Sequence, residues 1–185
     1  AGTAITTGDN NVAVGYQAGD ALTTGSHNLA IGQAALSDEV AGNKSTAVGR
    51  EALANQTNAT AVEVFNTAVG YSAGVSVTTG VLNTLIGGHS GDALTIGNSN
   101  TSVGYNSLTT EVAGDRNVAV GHGSLALQTN ASTVDVYNTA VGYNSGYSVT
   151  TGIQNTLIGG LAGDAITTGH SNAATGYNAL GATTT

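Results

Sequence analysis

The sequence predicts an all-β fold, a parallel β-solenoid or β-roll of about ten coils, and three observations lead there. A segment of the form Asn-Thr-Ala-Val-Gly-Tyr recurs with its Gly at Gly15, Gly32, Gly49, Gly70, Gly87, Gly104, Gly121, Gly142, Gly159 and Gly176, a step of seventeen lengthened twice to twenty-one. Four units make a super-repeat that carries Gly15 onto Gly87 and Gly87 onto Gly159, and under that shift positions 66–100 match positions 138–172 at 25 of 35 places. A fixed period of this length marks a stacked repeat architecture. Side chains are small: the 185 residues include 28 Gly, one Phe, and no Trp, Met, Cys or Pro. A narrow coil has room inside for Ala, Val, Thr and Gly but not for large rings. No apolar stripe of helical period is sustained, and Gly at this frequency opposes helix propagation.

Each unit reads as one strand, a turn, a short extended piece and another turn. Asn stands four before the Gly in nine units (Asn11, Asn28, Asn66, Asn83, Asn100, Asn117, Asn138, Asn155 and Asn172), and Ser45 takes its place in the tenth. The residues after it, such as Thr139-Ala140-Val141, are β-branched or small and favour a strand. With coils stacked about 4.8 Å apart, equivalent residues form ladders, and ten coils make a rod of roughly 45–50 Å. An Asn ladder closing its amide hydrogen bonds from coil to coil explains the recurrence of that residue. Gly three before the ladder position marks a turn in every unit except the two long ones. Those two carry four extra residues, in the runs Asn55–Thr60 and Gln128–Thr133, expected as polar bulges on the outside of the coil. A second apolar position alternates: Leu22, Val77, Leu94, Val149 and Ile166 lie seven after the Gly, whereas Leu36, Leu53, Leu108, Leu125 and Leu180 lie four after it.

The segments Asn28-Leu29-Ala30-Ile31-Gly32, Ser45-Thr46-Ala47-Val48-Gly49 and Asn117-Val118-Ala119-Val120-Gly121 resemble the head repeats of trimeric autotransporter adhesins, the YadA-like heads. The Asn-Thr-Ala-Val-Gly-Tyr arrays are also similar to segments of bacteriophage tail fibres. The resemblance implies a left-handed parallel β-roll, three chains to a head, used for attachment. The residues give their own hint about assembly. In Thr67-Ala68-Val69, adjacent apolar residues point to opposite strand faces, so one face fills the coil and the other needs a partner. A homotrimer and a single-chain solenoid both meet that need.

Composition limits the function classes. Against 11 acidic residues stand 3 basic ones, a net charge of −8, so a phosphate-binding surface has little to build from and nucleic acid is excluded as an expected partner. No apolar run reaches the roughly 18 residues that span a bilayer. The four His (His27, His89, His122, His170) fall at different phases of the unit and form no ligand spacing. Gly87-Gly88 and Gly159-Gly160 lack the Lys and helix of a phosphate loop and read as coil corners. No Gly-x-Ser-x-Gly elbow occurs. The expectation is a protein that is not an enzyme and has no cofactor.

What remains are surface candidates. Asp20, Asp92 and Asp164 recur once per super-repeat and are the only metal candidates, although four coils, about 19 Å, separate them. Lys44 with Glu39, and Arg116 with Glu111, read as surface ion pairs. Thr pairs such as Thr23-Thr24 raise ice binding, but their rank is broken by the intervening units. Tyr16, Tyr71, Tyr105, Tyr143 and Tyr177 directly follow the unit Gly and offer a surface for a glycan or a partner fibre. Five Asn-x-Ser/Thr sequons begin at Asn43, Asn55, Asn58, Asn100 and Asn130.

Residues 1–185 thus read as one elongated repeat domain. Both ends carry the interior pattern, which suggests an excerpt of a longer array or a subunit that stacks end to end. The expected role is a structural segment of an extracellular, cell-surface or virion fibre, shaft or adhesive head, with self-association as a homotrimer or filament and a host-surface glycan or protein as partner. A self-assembling extracellular matrix filament and an ice- or glycan-binding solenoid are the alternatives.

Overall fold

The computed structural model describes residues 1–182 and contains no helix among them. The strands are, in chain order, β1 (Val12–Val14), β2 (Leu29–Ile31), β3 (Thr46–Val48), β4 (Thr67–Val69), β5 (Thr84–Ile86), β6 (Thr101–Val103), β7 (Gly114–Asp115), β8 (Val118–Val120), β9 (Val134–Asp135), β10 (Thr139–Val141), β11 (Thr156–Ile158) and β12 (Ala173–Thr175). Ten of them, one in each unit, pair in parallel with the next coil and form a single sheet of order β1-β2-β3-β4-β5-β6-β8-β10-β11-β12. The remaining two, β7 and β9, pair with each other and join the coil before the second long unit to that unit. The chain is a β-solenoid whose pairing register is one repeat: Val12 faces Leu29 across a regular unit, and Thr46 faces Thr67 across a long one.

Turns stack as well as strands. The amides of Thr6, Thr7 and Gly8 all donate to the carbonyl of Thr23, and those of Thr23, Thr24 and Gly25 to the carbonyl of Val40. The first hydroxyl of the Thr pairs follows the same route, from Thr6, Thr23, Thr78 and Thr150 to carbonyls of the following coil. These hydroxyls bond from coil to coil within the stack.

The Asn ladder is present, with a different wiring from amide-to-amide closure. In seven coils the Asn carbonyl oxygen accepts the backbone N–H of the next ladder residue at 2.8–2.9 Å. The Asn Nδ2 donates at 2.7–2.9 Å to the carbonyl of the turn Gly fourteen positions on. Each Asn therefore clips the strand start and the turn of the next coil together. Direct amide-to-amide bonds supplement this in four places, as from Asn172 to Asn155 at 3.0 Å. The ladder breaks ahead of each long unit, which has no turn Gly. There Ser45 accepts from Gln56 Nε2 at 2.9 Å, whereas Asn117 leaves its Oδ1 buried without a partner.

The residue before each ladder position lies in the left-handed region, φ +52° to +63° in all ten coils, as at Asn10, Lys44, Phe65 and Tyr137. No β-branched residue occupies that position, as its sterics require.

Inside, the alternating apolar positions share one design. The fourth residue after the unit Gly has φ between +49° and +61° in every coil and is either Gly or Leu. Where it is Gly, an aliphatic side chain seven after the unit Gly fills the interior; Leu22, Val77, Leu94, Val149 and Ile166 are all buried. Where it is Leu, the seventh position is free to be polar, and Glu39, Gln56, Glu111 and Gln128 stand there, fully buried. The middle strand residue also points inward and is usually Ala. At Leu85 the larger side chain lies against two glycines, since a Cβ on Gly74 or Gly91 would come within 2.5 or 2.8 Å of its methyls. Burying one such Leu stabilises the fold by about 1.5–3 kcal/mol.

Two expectations are corrected here. The long units do not simply bulge outward, because Gln56 and Gln128 are fully buried and Asn58 and Asn130 nearly so. Glu39 and Glu111 form no surface pairs with Lys44 and Arg116. Both acids lie in the interior, and Lys44 pairs with Glu63 and Arg116 with Asp135 across one coil.

Candidate functional site

The strand sequence has alternating consequences. In Thr67-Ala68-Val69 the middle Ala is buried, and its neighbours project from the sheet on the other side. Over the stack this produces two outward files. One carries Thr46, Thr67, Thr84, Thr101, Thr139 and Thr156, with Val, Leu or Ala elsewhere; the other carries Val or Ile in nine coils and Thr175 in the last. Val69, Ile86 and Ile158 are 37%, 38% and 41% exposed, and no charged residue stands in either file. A continuous, uncharged, branched-aliphatic strip along the length of the rod is unusual for a surface left to water.

Aromatic rings stand at both edges of the strip, two isolated ones before the strands and a row after them. Before the strands, Phe65 and Tyr137 are half-exposed and occupy the same place in successive super-repeats. Lys44 stands 5.0 Å from the Phe65 ring and Arg116 5.6 Å from the Tyr137 ring. After the strands runs the Tyr row. Tyr71, His89, Tyr105, His122 and Tyr143 form one continuous file, with ring centroids 5.2, 6.1, 5.5 and 5.4 Å apart, and the Arg50 guanidinium lies 5.4 Å from the Tyr71 ring. Tyr16 and Tyr177 lie outside this file and are the most exposed of the five, at 71% and 80%.

His89 and His122 join that file from different phases, two positions and one position after the unit Gly, which is why the sequence showed no alignment of the His. The signal was Gly88. It leaves no side chain where Tyr stands in neighbouring units, the Tyr105 ring packs toward it, and His89, at φ +54°, fills the gap. The other two His remain apart: His27 Nε2 lies 3.4 Å from Asn10 Nδ2, and His170 Nδ1 accepts the Ile153 amide at 3.0 Å.

The three metal candidates share a phase but not an environment. Asp20 accepts the Thr3 hydroxyl at 2.6 Å and lines a shallow open depression with Gln17, Ser37 and Asp38. Asp92 meets His89 Nδ1 at 3.1 Å and the Thr109 hydroxyl. Asp164 has one buried carboxylate oxygen without a hydrogen-bond partner. No group of three or more His, Cys, Asp or Glu that could hold a metal occurs among the described residues.

The Thr3 hydroxyl holds the Asp20 carboxyl below the usual carboxylate range. The folded state therefore gains from Asp20 ionisation above the ordinary carboxylate pKa, and that gain disappears as pH falls through the depressed value. Thr3→Val is expected to return the Asp20 titration, followed by carboxyl-carbon NMR, toward the usual range; an unchanged midpoint would assign the depression to another group.

Six donors converge on each buried carboxylate. At Glu39, Oε1 accepts the amides of Val40, Ala41, Gly42 and Asn58 at 2.9, 3.1, 2.7 and 3.1 Å. Oε2 accepts Gln56 Nε2 at 2.7 Å and Asn58 Nδ2 at 2.8 Å. Glu111 repeats the arrangement with Gln128 and Asn130. In the first two coils a carbonyl of the next coil, Thr23 or Val40, collects three turn amides; where the next coil is a long unit, the Glu collects them instead. The boxes are structural parts of the stack, closed to solvent.

Of the five sequons, only Asn55 is exposed. Asn58, Asn100 and Asn130 are buried, and Asn43 is half-buried with its Oδ1 accepting the Ser26 amide at 2.7 Å.

No protein family, curated protein or solved structure matches the chain.

Proposed function

We propose that this chain is a non-enzymatic structural segment of an extracellular or virion fibre, and that three copies associate through the outward strand face to form a shaft or head used in surface attachment. The observation that carries the reading is the uncharged Val/Ile strip running beside a Thr file over the full length of the stack. The face is one short strand wide, about 10 Å, and roughly 45 Å long, so on its own it offers roughly 450 Å². A specific interface needs about 800 Å² per partner, so the Tyr row on one flank and the Phe65 and Tyr137 rings on the other are included. An uncharged centre, with aromatic residues and Arg enriched over the rest of the surface, is the usual composition of such a contact. A strip this narrow suits rods meeting round a common axis: one file turns to one neighbour and the second file to the other. The resemblance to adhesin heads and tail fibres agrees with this arrangement.

Native mass and sedimentation of the full chain test the reading. Three copies per particle are expected, with Val69→Asp/Ile86→Asp giving monomers of unchanged circular dichroism. A wild-type monomer overturns the assembly, and masses growing without limit with concentration indicate an end-to-end filament instead. Binding of the assembled rod to host-cell surfaces, and its absence for the monomeric variant, tests the attachment role.

A further inference from the structure

We propose that two belts of ring and charge fix how the copies meet: Phe65 of one copy packs on Tyr71 of the next, and Tyr137 on Tyr143. The proposal rests on the threefold strand-face contact of the preceding section and names the residues that set its register. One belt lies in the coils of Gly49 and Gly70, the other in those of Gly121 and Gly142. Charge distribution singles them out. Lys44, Arg50 and Arg116 are the only Lys and Arg of the chain, and all three stand in the belts, at the edges of the strip. Each is neutralised within its own copy, Lys44 by Glu63, Arg50 by Glu51 at 2.7 Å and Arg116 by Asp135. The other eight of the 11 acidic residues carry the whole net charge of −8. Rods of like charge repel, and the belts are where the flanks of two copies approach without that penalty.

Both flanks carry the same vertical pattern at the same height. Five positions before the unit Gly, Lys44 lies 5.0 Å from the Phe65 ring and Arg116 5.6 Å from the Tyr137 ring. One position after it, Arg50 lies 5.4 Å from the Tyr71 ring and His122 5.4 Å from the Tyr143 ring. In every case a basic side chain of one coil covers a ring of the next coil, and the set recurs after one super-repeat, about 19 Å along the rod. The four rings stay 45%, 47%, 49% and 58% exposed at Phe65, Tyr71, Tyr137 and Tyr143. Closing three rods round a common axis joins opposite edges of neighbouring faces and allows no axial shift. That operation brings Phe65 to Tyr71 and Tyr137 to Tyr143. A slip of two coils would instead bring Phe65 to Tyr105, so the register can be read by experiment.

The chain has no Cys, so introduced thiols report alone. Phe65→Cys/Tyr71→Cys in the full-length chain leaves the second belt intact to hold the assembly. Treated with a short bis-maleimide, it is expected to give covalent dimers and trimers on a denaturing gel. Phe65→Cys alone, Tyr71→Cys alone and Phe65→Cys/Tyr105→Cys are expected to remain at monomer mass. Phe65→Leu/Tyr137→Leu keeps the Val/Ile strip and is expected to weaken association by at least about tenfold, with unchanged circular dichroism. Three copies by native mass without the 65–71 cross-link, or with an equal 65–105 cross-link, overturn the belts and leave the threefold contact standing. A cross-link in either single variant shows an edge meeting its own copy and overturns them as well. Should the Cys variants fall to monomers, the Leu variant decides, since wild-type association there overturns the proposal. A monomeric wild-type chain overturns the threefold contact and the belts together.

Discussion

Glu39→Gln is expected to destabilise the solenoid by about 2–4 kcal/mol, although it changes a single atom of a side chain without solvent contact. Glutamine can still present an oxygen to the four backbone amides. Its Nε2 then faces Gln56 Nε2 and Asn58 Nδ2, which in the native box donate at 2.7 and 2.8 Å, so two buried hydrogen bonds are replaced by opposed donors. Gln56 cannot turn its amide over without cost, because its Oε1 accepts Asn66 Nδ2 at 2.9 Å. The double variant Glu39→Gln/Gln56→Glu moves the carboxylate one coil along and should recover at least about 1 kcal/mol of the loss. Chemical denaturation gives the totals, and hydrogen exchange at Val40, Ala41 and Gly42 shows whether the opening is local to the box. Glu111→Gln should behave alike, since its box has the same donors at nearly the same distances, the Gly114 amide at 2.8 Å against 2.7 Å for Gly42. A neutral result in either would mean that the side-chain amides of the box, Gln56 and Asn58 or Gln128 and Asn130, find other acceptors.

Gly142→Ala should cost more, about 4 kcal/mol or above. Gly142 has φ +141°, and a Cβ there would overlap the carbonyl oxygen of Gly159 and lie 2.5 Å from its carbon. Both are backbone atoms of the next coil and cannot move aside without opening the strand stack. Gly176→Ala isolates the two causes. That glycine has a comparable φ of +122° but meets nothing within 4 Å, so its substitution carries the backbone strain alone, about 1–3 kcal/mol. Thermal melts of the two variants separate strain from close approach; equal losses would assign the whole effect to φ and remove the argument that the unit Gly permits the coils to touch.

These two sites differ in how far they could be read in advance. The unit Gly recurs ten times in phase, and a residue required at every coil by a close contact announces itself by periodicity. Glu39 and Glu111 recur only twice, each in the coil preceding a long unit. An acid and a nearby Lys or Arg in one sequence suggested a surface pair, yet chain proximity is a poor guide in a solenoid, where a residue's nearest neighbours are one coil away. Lys44 accordingly finds Glu63 rather than Glu39. The extra residues of the long unit displace the carbonyl that elsewhere collects the turn amides, and the interior carboxylate replaces it. That substitution of one acceptor for another is invisible until the coils are stacked.

The ring file illustrates the same limit from the surface side. Five Tyr share a phase and were visible as a row, and His122 stands in that phase too, whereas His89 joins only because Gly88 leaves a vacancy that a residue of the next phase fills.

By itself the sequence determined the all-β class, the ten parallel coils, the repeat register, the positions of the Asn ladder and the Gly turns, and the outward alternation of the strands. All of these follow from periodicity, since a residue repeated at a fixed interval must meet its own copies when the chain winds. The tertiary structure alone decided which atoms those ladder amides bond, where the four polar interior residues point, which charges pair, and how rings of two different phases merge into one file. Those outcomes depend on how one coil sits over another in three dimensions, and local identity carries no information about a neighbour a full turn of the solenoid away.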